Sequence, residues 1–305
     1  MVYRAMGLMS GSSLDGLDIV FAEFLENGGQ WSFELLEAGC RPYPEEWKSR
    51  LSGATGLSAR DYLLLHSEYG HFTGQQINAF IEEYHLQYKV AVIGSHGHTT
   101  FHLPGQQMTA QLGDGAAIAA ETGLPVVSDL RALDVAFGGQ GAPIVPIGEK
   151  LLFPGYDYFL NIGGIANITG HSPMFTAFDI CPANRVLNLL AAEAGKEMDE
   201  GGVIAASGTI HHGLLGQLNE LEYYSKPWPK SLANDFGTDT VYPLIKAAGI
   251  SLADALCTYT EHIALQTAAA VSGLQEKSKK DNSRLFVTGG GAFNDHLLQR
   301  IDVHL

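Results

Sequence analysis

The sequence predicts an α/β fold: two domains, each a mixed sheet flanked by helices, with a ligand cleft between them. Three observations predict it. A chain of 305 residues is about two domains long on a scale of roughly 100–200 residues per domain. Hydrophobic residues make up 46% of it and charged residues 17%, which supplies a packed core and is unlike a disordered chain. Short apolar runs of strand character alternate with longer helical patterns, and the same order occurs twice.

The first pass begins with a strand over residues 3–9, a turn at Ser10-Gly11-Ser12-Ser13, and a strand over 17–24 in which Leu17, Ile19 and Phe21 alternate. That is the pattern of a hairpin. A third strand over 31–40 follows the Asn27-Gly28-Gly29 turn. Ser58 then opens a long helix, with Leu63, Leu64, Tyr69, Phe72, Ile77, Phe80 and Ile81 recurring at three and four spacing. A buried strand over 90–94, an alanine-rich helix over 114–121 and a strand over 124–128 complete the order β-β-β-α-β-α-β. This places the first domain at 1–130.

After Gly138-Gly139-Gln140-Gly141 the order restarts in a second domain at 131–305. Strands over 158–162 and 165–169 flank Gly163-Gly164 as a second hairpin, and residues 174–180 give a third strand. Helical stretches follow at 184–194 and 203–224, then a proline-bearing crossing at Lys226-Pro227-Trp228-Pro229. A long helix over 252–274, a strand over 285–288 and a helix from 292 to 301 end the chain, so this domain is expected to lack its last strand and helix.

Eighteen Lys and Arg face 33 Asp and Glu, a net charge of −15. So acidic a surface repels a nucleic-acid backbone but leaves room for a small phosphate ligand held by backbone amides. Cys40, Cys181 and Cys257 are odd in number and far apart, which suits a reducing compartment rather than a disulfide framework or a CxxC metal pair. The first residues carry no signal-peptide pattern, and no apolar run nears the roughly 18–20 residues that span a bilayer. The expected address is the cytoplasm, with no membrane partner.

The run Gly11-Ser12-Ser13-Leu14-Asp15-Gly16-Leu17-Asp18 is the richest in the first half. Its glycines permit close backbone approach and its successive amides can form an anion-binding nest; Asp15 has the type and reach to hold Mg²⁺ beside phosphate oxygens. Ser, Asp and Gly are also the ordinary residues of a plain hairpin turn. The second hairpin repeats the device at Gly163, Gly164 and Asn167, and Gly289, Gly290 and Gly291 form a third cluster between a strand and a helix, where a helix N-terminus favours negative charge. GxxxxGK[ST], GxGxxG and GxSxG are absent from the sequence, which argues against P-loop kinases, dinucleotide dehydrogenases and α/β-hydrolases.

Asp179 at a strand end is placed as a general base, or as a turn or helix-cap residue. The run from His96 to His102 lacks a completing Asp, Glu or Cys nearby, so polar contact with a substrate is a better expectation than zinc. Arg131 has the geometry to grip a carboxylate, or to make an ion pair.

With those residues in view, the chain resembles the anhydro-N-acetylmuramic acid kinases of the sugar kinase, Hsp70 and actin superfamily. The colinear blocks are residues 7–18, Ser95-His96-Gly97-His98-Thr99, Gln111-Leu112-Gly113-Asp114, Asp129-Leu130-Arg131, residues 138–143, residues 161–168, Lys230-Ser231 and Gly289-Gly290-Gly291. The resemblance implies two ribonuclease H-like (actin-like ATPase) domains. It implies ATP and Mg²⁺ held by the residues from Gly11 to Asp18 and by Gly163, Gly164 and Asn167, with Gly289 to Gly291 near the adenosine. It implies hydrolytic opening of an anhydro amino sugar and phosphorylation of the freed 6-hydroxyl, with Asp179 as the base and His96, Gly97, Thr99, Arg131 and Asn184 on the sugar. A homodimer and a role in peptidoglycan recycling are further implications. A kinase of another amino sugar, or a nucleotide-binding member without catalysis, are the alternatives.

The chain departs from the family pattern in places. Asp-Thr-Gly-Pro-Gly-Asn reads Asp179-Ile180-Cys181-Pro182-Ala183-Asn184, Gly-Gln-Thr reads Gly97-His98-Thr99, and the Thr-Gly-Arg-Glu after Lys-Ser reads Leu232-Ala233-Asn234-Asp235. Family chains are also longer at the C-terminal end.

Overall fold

The computed structural model describes residues 1–11, 14–171, 175–228, 230–233, 235–278 and 283–305. They form two compact units, Met1–Leu152 and Phe153–Leu305.

In the first unit, β1 (Val2–Ser10) and β2 (Gly16–Asn27) pair antiparallel from Val2 opposite Leu25 to Ser10 opposite Leu17. β3 (Gln30–Pro42) joins β2 through a two-residue turn. Gly28 and Gly29 both have positive φ, at 59° and 82°, the backbone that a tight hairpin of matching twist demands and that glycine adopts without strain. α1 (Glu45–Ser52) was not foreseen in the sequence. α2 (Ala59–Glu83) starts where Ser58 predicts, its side chain accepting from the Asp61 amide, and buries Leu65, Tyr69, Ile77 and Phe80 along one face.

β4 (Val92–Leu103) runs parallel to β1 and well past the expected 90–94. Its distal half pairs antiparallel with β5 (Met108–Leu112), a strand absent from the sequence reading. α3 (Gly115–Thr122), β6 (Val126–Val127), α4 (Ala132–Ala136) and α5 (Pro146–Leu152) follow. The sheet order is β3-β2-β1-β4-β5, with β6 paired to β4. Residues 131–152, expected in the second domain, belong to the first unit because α4 packs on β5 and α5 on β3.

The second unit repeats the plan with β7 (Tyr158–Ile162), β8 (Ile165–Gly170) and β9 (Thr176–Pro182). The helical stretch after β9 divides into α6 (Asn184–Ala192), α7 (Val203–Ser207), α8 (His212–Asn219), α9 (Glu222–Ser225) and α10 (Tyr242–Ala247). α11 (Leu252–Ser278), β10 (Leu285–Thr288) and α12 (Asp295–His304) complete it. The sheet order is β10-β7-β8-β9, and β10 is parallel to β7 as β4 is to β1. Leu160, Ile168 and Ile180 of this sheet and Leu256, Tyr259 and Ile263 of α11 are all buried in one core. Among the described residues no helix is long and apolar enough to cross a membrane.

Candidate active site

Ser10 ends β1 buried, with its hydroxyl 3.1 Å from His98 Nδ1 and accepting from the Tyr43 hydroxyl at 2.8 Å. The loop that follows is therefore rooted in a buried polar network. Ser12 and Ser13 lie outside the described residues. Leu14 has a positive φ of 57° and its amide reaches the Gly11 carbonyl at 3.4 Å. Asp15 is exposed; its Oδ1 accepts from the Gly16 amide at 3.1 Å and its carbonyl from the Tyr43 amide at 3.2 Å.

The rest of that run belongs to β2. A Cβ on Gly16 would sit 2.5 Å from Cys40 Sγ, so this glycine lets β3 approach. The Leu17 side chain is core, 2% exposed, and Asp18 bonds the Cys40 thiol, which burial and that carboxylate push up to about 11.

His96, Gly97 and Thr99 lie inside β4, beyond the 90–94 expected for this strand. A Cβ on Gly97 would lie 2.5 Å from the Leu112 carbonyl oxygen, so the glycine admits β5. Thr99 is exposed opposite Gln111. Arg131 Nε donates to His96 Nε2 at 3.0 Å and Nη1 donates to the Gly141 carbonyl. Gly141 in turn donates its amide to Asp134 Oδ2 at 2.6 Å. Because Nε2 accepts, the proton of His96 is on Nδ1, which donates to the Gly97 carbonyl at 2.9 Å. Burial, and secondarily the Arg131 charge, lower the His96 pKa and keep the ring neutral. Nη2 of Arg131 makes no hydrogen bond among the described residues. Arg131 is thus a pre-aimed cation, with no carboxylate paired to it among the described residues.

In the second unit the register sets Thr288, Asn161, Asn167 and Asp179 side by side across β10, β7, β8 and β9. Asp179 lies within β9, beside a bulge, and not at its end; Ala183 precedes α6 without a side-chain cap, so Asp179 is not a helix cap. Asp179 Oδ2 accepts from the Leu232 amide at 2.9 Å, its own amide donates to the Lys230 carbonyl at 3.0 Å, and its carbonyl accepts from the Tyr223 hydroxyl at 2.7 Å. Burial raises the Asp179 pKa, opposed by the Leu232 N–H. A carboxylate with one oxygen held, the other left to solvent or substrate, and an upward-shifted pKa has the properties of a general base.

The glycines here divide by role. Gly163 and Gly164 have nothing closer than 3.4 Å where a Cβ would stand, whereas a Cβ on Gly289 would meet Asn161 Oδ1 at 2.5 Å and one on Gly291 would collide with Ile162. Gly289 and Gly291 are thus glycines where the turn after β10 packs against the end of β7, and Gly163, Gly164 and Gly290 are the ones that leave backbone approachable. The carbonyls of Gly163 and Gly164 accept from the first amides of α6, and Asn184 Nδ2 donates to the Ile162 carbonyl at 3.1 Å. Residues 290–293 form a short turn before α12, whose first amides are capped by Asn294; the glycine cluster does not open directly into that helix. Tyr223 and the Leu232 amide escaped the sequence reading, whereas Asn161 was read as one end of the second hairpin's turn.

Residues 3–305 match the family described as anhydro-N-acetylmuramic acid kinase. A relative of that name from Paramagnetospirillum magneticum is 35% identical, covering 96% of this chain and 82% of its own length. One from Methylorubrum populi is 36% identical over 98% and 84%, and one from Photobacterium profundum 34% over 100% and 84%. The chain belongs to the anhydro-N-acetylmuramic acid kinase family. Among solved structures, a 2-hydroxyisocaproyl-CoA dehydratase activator from Clostridium difficile covers 99% of this chain and 85% of its own at 15% identity and TM-score 0.41, too distant to add to that.

Three of the departures from the family pattern fall in the core: Ile180, Cys181 and Ala183 turn buried side chains into it. Leu232 serves Asp179 through its amide, which any residue but proline supplies; Asn234 lies outside the described residues.

Proposed function

We propose that this chain uses ATP to phosphorylate 1,6-anhydro-N-acetylmuramic acid in the recycling of peptidoglycan sugars, opening the anhydro bridge with water in the same turnover. The observation that carries this reading is the Asp179 carboxylate, fixed through one oxygen by the Leu232 N–H and raised in pKa by burial. Asp179 takes a proton from water as the water oxygen bonds the anomeric carbon. The bond from that carbon to O6 breaks, and O6 takes the γ-phosphoryl group as ADP departs. Phosphoryl transfer asks the protein mainly for positioning and charge neutralisation.

Gly11, Leu14 and Asp15 on one hairpin, and Gly163, Gly164 and Asn167 on the other, are assigned to the phosphates. The donor chemistry fits Mg²⁺. Asp15 offers an exposed carboxylate, and this ion is usually held by one or two carboxylates together with phosphate oxygens and water. When bound it would neutralise charge on the transferring phosphoryl group. Arg131, aimed by His96, is assigned to the carboxylate of the sugar's lactyl group. A cytoplasmic address follows from the need for ATP.

Replacing Asp179 with Asn tests the reading. Turnover should fall by about 10³-fold or more while ATP affinity stays within about 3-fold; turnover near the wild-type rate would overturn it.

A further inference from the structure

The general-base reading of Asp179 leaves open what keeps a carboxylate on a bulged strand in one orientation. The strap from Lys230 to Leu232 is irregular, yet it makes two of Asp179's bonds: the Lys230 carbonyl accepts from the Asp179 amide and the Leu232 amide donates to Oδ2. We infer that Lys230 is a positioning residue for Asp179, its ammonium pinning this strap to the end of α9 so that the Leu232 N–H meets the carboxylate. The inference rests on the base reading of Asp179.

The contacts close a ring. Lys230 Nζ donates to the carbonyls of Tyr223 at 3.1 Å and Tyr224 at 3.3 Å, and lies 4.6 Å from the centre of the Tyr223 ring. Those carbonyls sit in the last turn of a helix, where partners are missing and a cation is favoured. The Tyr223 hydroxyl returns to the Asp179 carbonyl at 2.7 Å. Lys230 thus spends its charge on α9 and a ring face, contacts that fix backbone rather than ligand.

α8 and α9 are both anchored to α11. His262 Nδ1 lies 2.7 Å from Asn219 Oδ1, which also accepts from Gln266 Nε2 at 2.9 Å, and His262 Nε2 lies 2.9 Å from the Tyr224 hydroxyl. The Asn219 carbonyl oxygen can only accept, so Nδ1 carries the proton and Tyr224 donates to Nε2. The titratable groups around Asp179 are Cys181 on β9, Tyr223 and Tyr224 on α9, Lys230 on the strap and, behind Tyr224, Tyr259 and His262 on α11. Burial holds Cys181, the three tyrosines and His262 neutral near pH 7.

Loss of the strap removes an N–H that favours ionised Asp179, so the carboxyl should titrate higher and the acidic limb of the rate profile should move up. With Lys230→Met, kcat is expected to fall by about 30-fold, both KM values to stay within about 3-fold, and the acidic limb of kcat/KM to rise by about one pH unit. Lys230→Arg, which can still reach the carbonyls, should restore most of kcat and return the limb. A Lys230→Met enzyme with an unmoved limb, or one impaired in KM alone, overturns the inference. Should Lys230→Met fail to fold, Tyr223→Phe decides, because it keeps the ring under the ammonium and deletes only the hydroxyl: a fall of about 5-fold in kcat at constant KM supports the ring of contacts, and unchanged kcat overturns it. Asp179→Asn runs beside these variants. An active Asp179→Asn enzyme overturns the base itself, whereas an inactive one beside a normal Lys230→Met overturns the positioning role alone.

Discussion

Arg131 Nε donates to His96 Nε2 at 3.0 Å, and that bond dictates the tautomer of one residue and the aim of the other. Lysine has no planar fork with which to bond both His96 and the Gly141 carbonyl. Arg131→Lys should therefore raise the KM for the anhydro sugar by about 10- to 100-fold with little change in the KM for ATP. Steady-state kinetics with each substrate varied in turn provides the check. Equal losses in both KM values would remove Arg131 from the sugar.

The same bond gives a pH prediction. His96 must be neutral to accept from Arg131, and its pKa is lowered by burial, with the Arg131 charge acting in the same direction. Sugar binding should therefore hold steady through neutral pH and weaken only on the acid side of the ordinary histidine range, about 6.5. A sugar KM that rises toward alkaline pH from 7 would contradict this assignment.

Gly291 and Gly163 should respond differently to the same change. Gly291→Ala forces a Cβ into Ile162 and should cost about 1–3 kcal/mol of stability. Gly163→Ala meets only ordinary contacts, so stability should hold while ATP affinity falls by about 10-fold from loss of close approach. Chemical denaturation and nucleotide titration of both variants separate packing from binding; equal destabilisation would erase the distinction.

His262 makes folding sensitive to acid. Burial lowers its pKa from the ordinary 6.5 to about 3. Between those values the unfolded chain takes up a proton that the folded chain refuses, so stability is lost as pH falls. The contribution is about 1.4 kcal/mol per pH unit in that window. His262→Gln, though less stable near neutrality, should show a shallower decline between about pH 4 and 6. Identical slopes for the two proteins would place the acid sensitivity elsewhere.

The two hairpins, the long helices α2 and α11, and the twice-used strand order were legible because each rests on local pattern: alternation in Leu17, Ile19 and Phe21, a Ser58 cap, glycine-bearing turns. β5 was not legible. Its residues, Met108-Thr109-Ala110-Gln111-Leu112, become a strand only by pairing with the polar, glycine-broken second half of β4, a long-range contact that outweighs weak propensity. In the site, Asp179 and Arg131 stood out by residue type. Their supports did not, since the Leu232 amide and the Gly141 carbonyl are backbone groups whose service no side chain announces. Gly16, Gly97, Gly289 and Gly291 were read as ligand glycines; a Cβ at each would meet a neighbouring strand or loop, a packing demand that the sequence alone does not show.

The joint hydrolysis and phosphorylation is tested most directly by the mass of the product formed from 1,6-anhydro-N-acetylmuramic acid and ATP. The expected product is heavier than the sugar by one phosphoryl group and one water, and when the reaction is run in ¹⁸O-water it carries the label on the anomeric carbon. A product heavier by the phosphoryl group alone, with the bridge intact, or no phosphorylated product at all, would contradict a base-assisted opening at Asp179.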